Sequence, residues 1–206
     1  MNWMHNALPF AGQLLLVAVL ITLATGRLVK NSRLHLLVVA VLLIAGLFFP
    51  LHGLSFAQWL RSVVGDLSLL TLVIFTNILA QRLFKRKLLT SAARSYLLQG
   101  IAFTGVVFYP LALGVSAFDP YQLGYSPVFL PMLLCMLSVI AWLKNKRDIA
   151  IVLLLPLMAF NLQLLESTNL WDYLLDPILV IYALFQLVAR RQNLRSFKTA
   201  ENPLAG

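Results

Sequence analysis

Acidic residues and cysteine are scarce in this chain, and charge of either sign is sparse. Of its 206 residues only seven are Asp or Glu and one is Cys, and charged residues make up 11% of the total. A soluble domain carries about a quarter charged residues, so this composition excludes an ordinary water-soluble fold. Because 61% of the residues are apolar, it also excludes intrinsic disorder. A single cysteine excludes a disulfide scaffold and a cysteine-only zinc site.

Long apolar runs dominate what is present. A bilayer core of about 30 Å requires roughly 17 to 25 apolar residues in a helix, and the runs here are continuous instead of alternating, which favours helices over barrel strands. We therefore predict an all-α polytopic membrane bundle, residues 1–188, followed by a short basic cytoplasmic tail, 189–206. The seven predicted transmembrane helices are 8–25, 34–49, 67–83, 97–117, 128–143, 149–165 and 171–188.

The basic residues support this segmentation and orient it. With seven spans, fifteen of the sixteen Lys and Arg residues fall on one side of the membrane, and only Arg61 falls on the other. The positive-inside rule then places the N-terminus outside and the C-terminus in the cytoplasm. The net charge of +9 is explained by contact with anionic lipid headgroups at the cytoplasmic face, and it does not indicate a nucleic-acid partner.

Local patterns mark several helix ends. Ser55 and Gln58 have the spacing of a capping box, which predicts a short interfacial helix near 55–64, lying on the outer surface. Asp66 and Asp148 are predicted to cap the third and sixth spans. Pro177 lies one turn into the predicted seventh span, where it would kink the helix.

Ionisable side chains are absent from the middle of every predicted span. A proton-coupled carrier or an ion pump normally needs such a group at depth, so this absence argues against both. The deepest polar side chains belong to three amides. We expect them to form interhelical hydrogen bonds; they are Asn77, Asn161 and Gln163.

Five of the seven acidic residues fall on the predicted outer side. Asp172 and Asp176 have i, i+4 spacing, which puts both on one face of the seventh helix. Two such carboxylates repel each other unless a cation, a basic group or a shared proton compensates. We predict a shallow, water-accessible cavity that binds a cation, an amine-bearing headgroup or a loop of a partner. Its candidate residues are Glu166, Asp172, Asp176, Asp119, Tyr121, Tyr125, His52 and Arg61.

The alternative is that most of these residues only end helices and turns. Asp119 suits a type I turn with Pro120, and Asn169 can cap the last span with Asp172 in its first turn. Tyrosines are common at membrane interfaces without any catalytic purpose. On this interpretation only Asp176 and Glu166 are left without a local structural role.

No pattern indicates catalysis, a metal or a cofactor. The three histidines lack partners at ligand spacing, and no phosphate loop, nucleophile elbow or paired-histidine zinc motif occurs. We therefore predict a small multi-pass protein of the inner (plasma) membrane of a bacterium, with no recognisable catalytic motif. Its expected role is that of an accessory component of an envelope pathway, with a membrane protein as partner. The alternative function is a small transporter or lipid-handling protein that uses the acidic cavity.

Overall fold

The structure is a computed structural model that describes residues 3–25, 32–48, 50–51 and 54–201. The described residues are largely helical, which confirms the predicted all-α class. One two-residue antiparallel ribbon pairs Pro50 with Ser55 and Leu51 with Leu54. The elements are α1 (Trp3–Thr25), α2 (Ser32–Phe48), β1 (Pro50–Leu51), β2 (Leu54–Ser55), α3 (Phe56–Val64), α4 (Leu69–Phe84), α5 (Ser91–Ala112), a 3-10 helix (Pro120–Tyr125), α6 (Phe129–Leu143), α7 (Arg147–Asn161), α8 (Leu170–Leu174) and α9 (Pro177–Glu201).

Seven of the helices in the described ranges have 15 residues or more, and each includes much of one predicted span. Two of them, Leu8–Thr25 within α1 and Ser91–Ala112, are both long and apolar enough to cross a bilayer. Shorter apolar helices occupy Leu34–Leu43, Leu69–Phe84 and Phe129–Leu143. A helix has therefore formed in each predicted span, while length and composition by themselves mark two of these helices as candidate membrane spans.

Two predicted spans differ most from the observed helices. The fourth, predicted at 97–117, is the helix Ser91–Ala112, because Thr90 caps its start by accepting a hydrogen bond from the Ala93 amide. The seventh, predicted at 171–188, is divided into α8 and α9 by extended backbone at Leu175. Pro177 is consequently the first residue of α9, where its missing N–H is harmless, and it does not kink a span. Helix α9 continues to Glu201, so most of the predicted tail is helical.

The interior of the bundle is mainly apolar among the described residues. Helix α4 is central because it packs against α1, α2, α7 and α9, while α6 packs on α7 and α5 on α9. Ile74 and Phe75 of α4 and Leu179 of α9 are almost completely buried. The outer surface of the bundle is apolar as well: Phe103 is 74% exposed and Phe185 is 67% exposed. An apolar exterior of this kind is typical of a surface that faces lipid or a partner.

The loops that carry most of the basic residues among the described residues lie at one end of the bundle, which we call the basic end. The Asp148 carboxylate accepts hydrogen bonds from the Thr90 hydroxyl at 2.7 Å and from the Thr90 amide at 3.2 Å, tying the start of α7 to the start of α5. The Lys146 ammonium lies 4.0 Å from the centre of the Tyr96 ring. Asp148 was predicted to be a helix cap; it lies instead in the first turn of α7 and binds the neighbouring loop.

Candidate functional site

The opposite end of the bundle contains a cavity of about 540 Å³, which we call the acidic cavity. It lies where the end of α5, the 3-10 helix, α8 and the start of α9 meet. Three carboxylates and four aromatic side chains line it, together with aliphatic groups and Ser167: Asp66, Asp172, Asp176, Phe108, Tyr109, Tyr121 and Trp171. Four of the eight residues predicted for an outer binding site are in contact with this cavity or with a carboxylate that lines it: Asp172, Asp176, Tyr121 and Arg61.

Asp172 is the cavity carboxylate that links α8 to the 3-10 helix. Its Oδ2 accepts hydrogen bonds from the Tyr121 hydroxyl at 3.0 Å and from the Ser167 hydroxyl. Burial raises the pKa of Tyr121, and the nearby Asp172 charge and this hydrogen bond raise the same pKa further. The phenol therefore stays protonated near neutral pH and continues to donate to the carboxylate.

Asp176 has a structural role that the i, i+4 spacing did not reveal. It lies outside α8 and caps α9, with Oδ1 accepting from the Leu179 amide at 2.8 Å. Its Oδ2 accepts from the Ser68 amide at 2.9 Å and from the Thr71 hydroxyl. One carboxylate thus satisfies donors at the starts of both α9 and α4, and the prediction that Asp172 and Asp176 share one helix face is wrong.

Arg61 pairs with two carboxylates, Asp66, which lines the acidic cavity, and Glu166, which lies outside it. Its Nε and Nη2 donate to the two oxygens of Asp66 at 2.7 Å and 3.2 Å, and its Nη2 lies 3.0 Å from Glu166 Oε1. The bonds to Asp66 raise the pKa of the guanidinium against the lowering effect of burial. Asp66 was predicted to cap the third span; Ser68 is the actual cap of α4, which leaves Asp66 for this ion pair.

The remaining predicted residues lie beside the cavity or away from it. Glu166 has a side chain that is 64% exposed, and it lines a separate shallow cavity of about 330 Å³ with Asn161 and Gln163. Both amides are exposed near the end of α7, and Asn161 donates to Leu157 of its own helix. They therefore do not form the interhelical hydrogen bonds expected of them.

Asp119 and Tyr125 shape the 3-10 helix. Asp119 caps it by accepting from the Tyr121 amide at 2.9 Å, as the predicted turn implied. The Tyr125 ring packs edge-on against the Tyr121 ring with their centres 5.7 Å apart. The eighth predicted residue, His52, lies outside the described residues.

The 3-10 helix is held against the start of α8 by a fixed set of contacts. Asn169 donates to the Tyr121 carbonyl at 3.0 Å, and the Trp171 indole donates to the Pro120 carbonyl at 2.9 Å. Gly124 allows this approach, because a Cβ there would lie 1.8 Å from Asn169 Oδ1. The aromatic wall of the cavity is therefore preformed.

Asn77 is completely buried, but its partner is a loop and not a second helix. Its Oδ1 accepts from the amides of Leu88 and Leu89 at 3.0 Å and 3.1 Å. The Asn77 side chain thus holds the loop between α4 and α5 against the bundle at the basic end. These hydrogen bonds to the loop take the place of the expected hydrogen bond between helices.

Several important side chains were not among the predicted site residues. Tyr109 and Ser167 line the cavity, and Ser68 and Thr71 bind Asp176. The aromatic Tyr109 beside Pro110 near the end of an apolar run was a usable signal, because tyrosines gather at membrane interfaces. Ser68 and Thr71 carried no signal of a partner 105 residues or more away along the chain.

The chemistry of the acidic cavity suits a cationic group. Carboxylates attract a cation, and aromatic faces add a cation–π attraction. Across the part of the chain that the structure describes, no three His, Cys, Asp or Glu side chains are placed to hold a metal ion. Searches against protein-family models, curated proteins and solved structures found no match for this chain.

Proposed function

We propose that this chain is a seven-span accessory protein of the bacterial inner membrane that docks a partner through the acidic cavity. The single observation that carries the proposal is the preformed cavity of carboxylates and aromatic rings at the end of the bundle opposite the basic loops. The partner would insert a basic side chain between Asp172 and the rings of Tyr109, Tyr121 and Trp171.

The placement in a membrane is supported by the exterior of the bundle. Large apolar side chains are widely exposed, including Met132 at 63% and Ile181 at 67%, and a monomeric soluble protein rarely exposes such extended apolar surface. The shortest of the seven long helices, α6 and α7, have 15 residues and extend about 22 Å. Helices of this length can span a bilayer that thins locally around them, or one in which their flanking polar side chains extend to the interface.

The orientation is supported by the separation of charge between the two ends. Asp66, Asp172 and Asp176 meet at the acidic cavity, while the loops with Lys85, Arg86 and Lys87 lie at the basic end. The proposal places the basic end in the cytoplasm and the acidic cavity outside. The anionic headgroups of the inner leaflet would then contact the basic end.

The interior between the two ends supports docking over transport. The side chains buried there include Ile74, Phe75, Leu97, Ile101 and Leu179. Buried polar side chains such as Gln13, Thr22 and Ser138 are a minority among the described buried residues, and Asn77 is already bound to the loop below it. A carrier would need such a path or a titratable group at depth.

Cysteine accessibility in intact cells tests the seven-span orientation. Cys135 is replaced by Ala, and Lys87→Cys or Ser116→Cys is introduced on either side of α5. A membrane-impermeant maleimide should label Ser116→Cys only, and Lys87→Cys should react after the cells are opened. Labelling of Lys87→Cys in intact cells would contradict the proposal.

Site-specific photo-crosslinking tests the docking role. A photoreactive residue replaces Leu113, which lines the cavity, and a matched control replaces Val106 on the apolar surface of the same helix. We expect one partner to crosslink from position 113, through a segment containing Lys or Arg, and the yield to fall at least fivefold when Asp172→Asn is added. Glu166→Gln removes a carboxylate outside the cavity and should leave the yield unchanged. Equal yields from the parent and Asp172→Asn, or no crosslink from position 113, would contradict the docking role.

A further inference from the structure

A second polar cavity lies at the basic end, in the seam between α5 and α9. It has a volume of about 270 Å³, and its polar lining consists of two arginines, two serines and a glutamine: Arg94, Arg190, Ser91, Ser95 and Gln186. The described residues that line it include no acidic side chain. A cavity walled by two guanidinium groups and two hydroxyls attracts an anion, and these are the donor types that hold phosphate oxygens.

Arg94 is the central feature of this seam. Its Nη2 donates to the Tyr182 hydroxyl of α9, so the side chain reaches from the start of α5 into the bundle. Its Nε is buried and has no hydrogen-bond partner. A buried guanidinium donor left without a partner is costly, and an anion in the adjoining cavity would supply one.

Arg190 lines the same cavity from the other helix. Its Nη1 donates to the Ser95 hydroxyl, which positions the exposed guanidinium at the cavity wall. Two arginines held on opposite helices repel each other unless an anion lies between them. The geometry is therefore preorganised for one phosphate-sized group.

An apolar cavity adjoins the polar one along the same seam. It has a volume of about 630 Å³ and shares Leu187 and Arg190 with its polar neighbour. Ala102, Phe103, Val106 and Leu184 form its apolar wall, and Phe103 is 74% exposed. A groove with cationic residues at one end and an open apolar channel beyond them matches a molecule with an anionic head and a hydrocarbon tail.

We propose that the α5–α9 seam binds one anionic phospholipid of the cytoplasmic leaflet. Its phosphate lies between Arg94 and Arg190, and one acyl chain follows Ala102 and Val106. This inference rests on the membrane placement proposed above, and it is independent of the partner bound at the acidic cavity. A soluble phosphate would occupy the polar cavity without using the apolar channel, so the two sources are separable by experiment.

Native mass spectrometry of the full chain, purified in detergent and stripped of lipid, tests the proposal. Dioleoyl phosphatidylglycerol and dioleoyl phosphatidylcholine are titrated separately, and glycerol 3-phosphate in large excess serves as the soluble competitor. We expect phosphatidylglycerol to bind at a stoichiometry of one, at least tenfold more tightly than phosphatidylcholine. Glycerol 3-phosphate should displace little of it.

Matched variants separate a site from general attraction to basic protein. Arg94→Gln and Arg190→Gln should each weaken phosphatidylglycerol binding at least tenfold. Arg86→Gln removes an exposed basic residue of the same end and should leave binding unchanged. Val106→Trp fills the apolar channel without changing charge and should weaken binding at least fivefold, while Ile151→Trp, on the exposed surface of α7, should not. Circular dichroism and size-exclusion chromatography check that each variant is folded. If Arg94→Gln does not fold, Val106→Trp still tests the lipid site.

Three results would overturn the lipid site. If Arg86→Gln and Arg94→Gln weaken phosphatidylglycerol binding equally, the lipid is attracted only by the general positive charge of this end. If glycerol 3-phosphate displaces all of the phosphatidylglycerol, the cavity is a site for free phosphate. If the two lipids bind with equal affinity, the site has no preference for an anionic headgroup. If the purified chain stays monodisperse in buffer without detergent, the membrane placement itself is wrong. If instead the chain needs detergent but shows no lipid preference, only the lipid site is wrong and the membrane placement stands.

Discussion

The Asp176 carboxylate accepts a hydrogen bond from the Ser68 amide at 2.9 Å, although the two residues are 108 positions apart. The same side chain caps α9 through the Leu179 amide. A negative charge at two helix starts is favoured because each helix end presents free N–H groups and a partial positive charge. This relationship joins the third and last long segments of the chain at the floor of the acidic cavity.

Replacing Asp176 by Asn should destabilise the protein. The amide keeps one acceptor oxygen but turns an NH2 group toward donors, so the Ser68 amide or the Thr71 hydroxyl loses its partner. We expect a loss of about 2 kcal/mol in the free energy of unfolding, measured by denaturant titration in detergent micelles. Glu166→Gln is the control: its carboxylate is 64% exposed with one ion pair, and it should cost less than about 1 kcal/mol. Equal effects of the two changes would contradict the buried role of Asp176.

This prediction changes how activity data on Asp176 must be interpreted. A loss of function in Asp176→Asn follows from destabilisation alone, whereas Asp172→Asn alters a carboxylate that is only partly buried in the cavity wall. Asp172 is therefore the better probe of ligand binding.

Replacing Asn77 by Ala should release the loop between α4 and α5. The amides of Leu88 and Leu89 lose their shared acceptor, which costs about 1–3 kcal/mol for buried donors left unpaired. Hydrogen exchange at these two amides should accelerate at least tenfold. Asn161→Ala removes an exposed amide that bonds only within α7, and exchange at Leu88 and Leu89 should not change in it. Unchanged exchange in Asn77→Ala would show that the loop is held by other contacts.

Two glycines of α5 should respond in opposite ways to alanine. A Cβ at Gly105 would lie 2.5 Å from the methyl groups of Val180, so Gly105→Ala pushes α5 and α9 apart and should cost about 1–3 kcal/mol. Gly100 has open space around its Cβ position, and Gly100→Ala should stabilise the helix by about 0.5–1 kcal/mol. Thermal unfolding of the two variants in detergent compares them directly. A stabilising Gly105→Ala would mean that the α5–α9 seam is wider than described.

Asp148 should make stability fall in acid. Burial alone would raise the pKa of this carboxyl, but hydrogen bonds from the hydroxyl and amide of Thr90 outweigh burial and lower it below the usual 3.8. A lowered folded-state pKa means that the stabilisation is fully present above pH 3.8 and is lost as the pH falls through the folded-state value. The stability difference between the parent and Asp148→Asn should therefore be constant from pH 5 to pH 7 and shrink below about pH 3.8. Denaturant titrations over this range measure it, and a difference that is the same at pH 3 as at pH 7 would contradict the assignment.

The predicted features that the structure confirms are those with local causes. The helix Phe56–Val64 forms within the predicted 55–64, because a polar start precedes an amphipathic segment. Asp119 caps the start of the 3-10 helix directly before Pro120, where the sequence predicted a turn. Each depends on neighbours within a few positions, so the sequence contains the whole signal.

The predictions that were wrong concern residues whose partners are remote. Asp172 and Asp176 were expected on one helix face, but the helix is interrupted at Leu175. Beyond this interruption the Asp176 carboxylate accepts hydrogen bonds from Ser68, Thr71 and the start of α9. Asp66 was expected to cap a helix and instead binds Arg61. Hydrogen-bond competition between distant segments decides such cases, and helical periodicity carries no information about it.

The amino-acid sequence by itself determined the helical class and where the seven long apolar segments lie, because burial of apolar surface and backbone pairing within each segment are local demands. It also contained the unequal division of basic residues among the connections. Only the tertiary structure decided which carboxylates meet at the acidic cavity, which one caps a helix, and that Arg94 and Arg190 line one cavity between α5 and α9. Those outcomes depend on the packing of helices remote in sequence, where side-chain volume and the pairing of every buried donor select one arrangement.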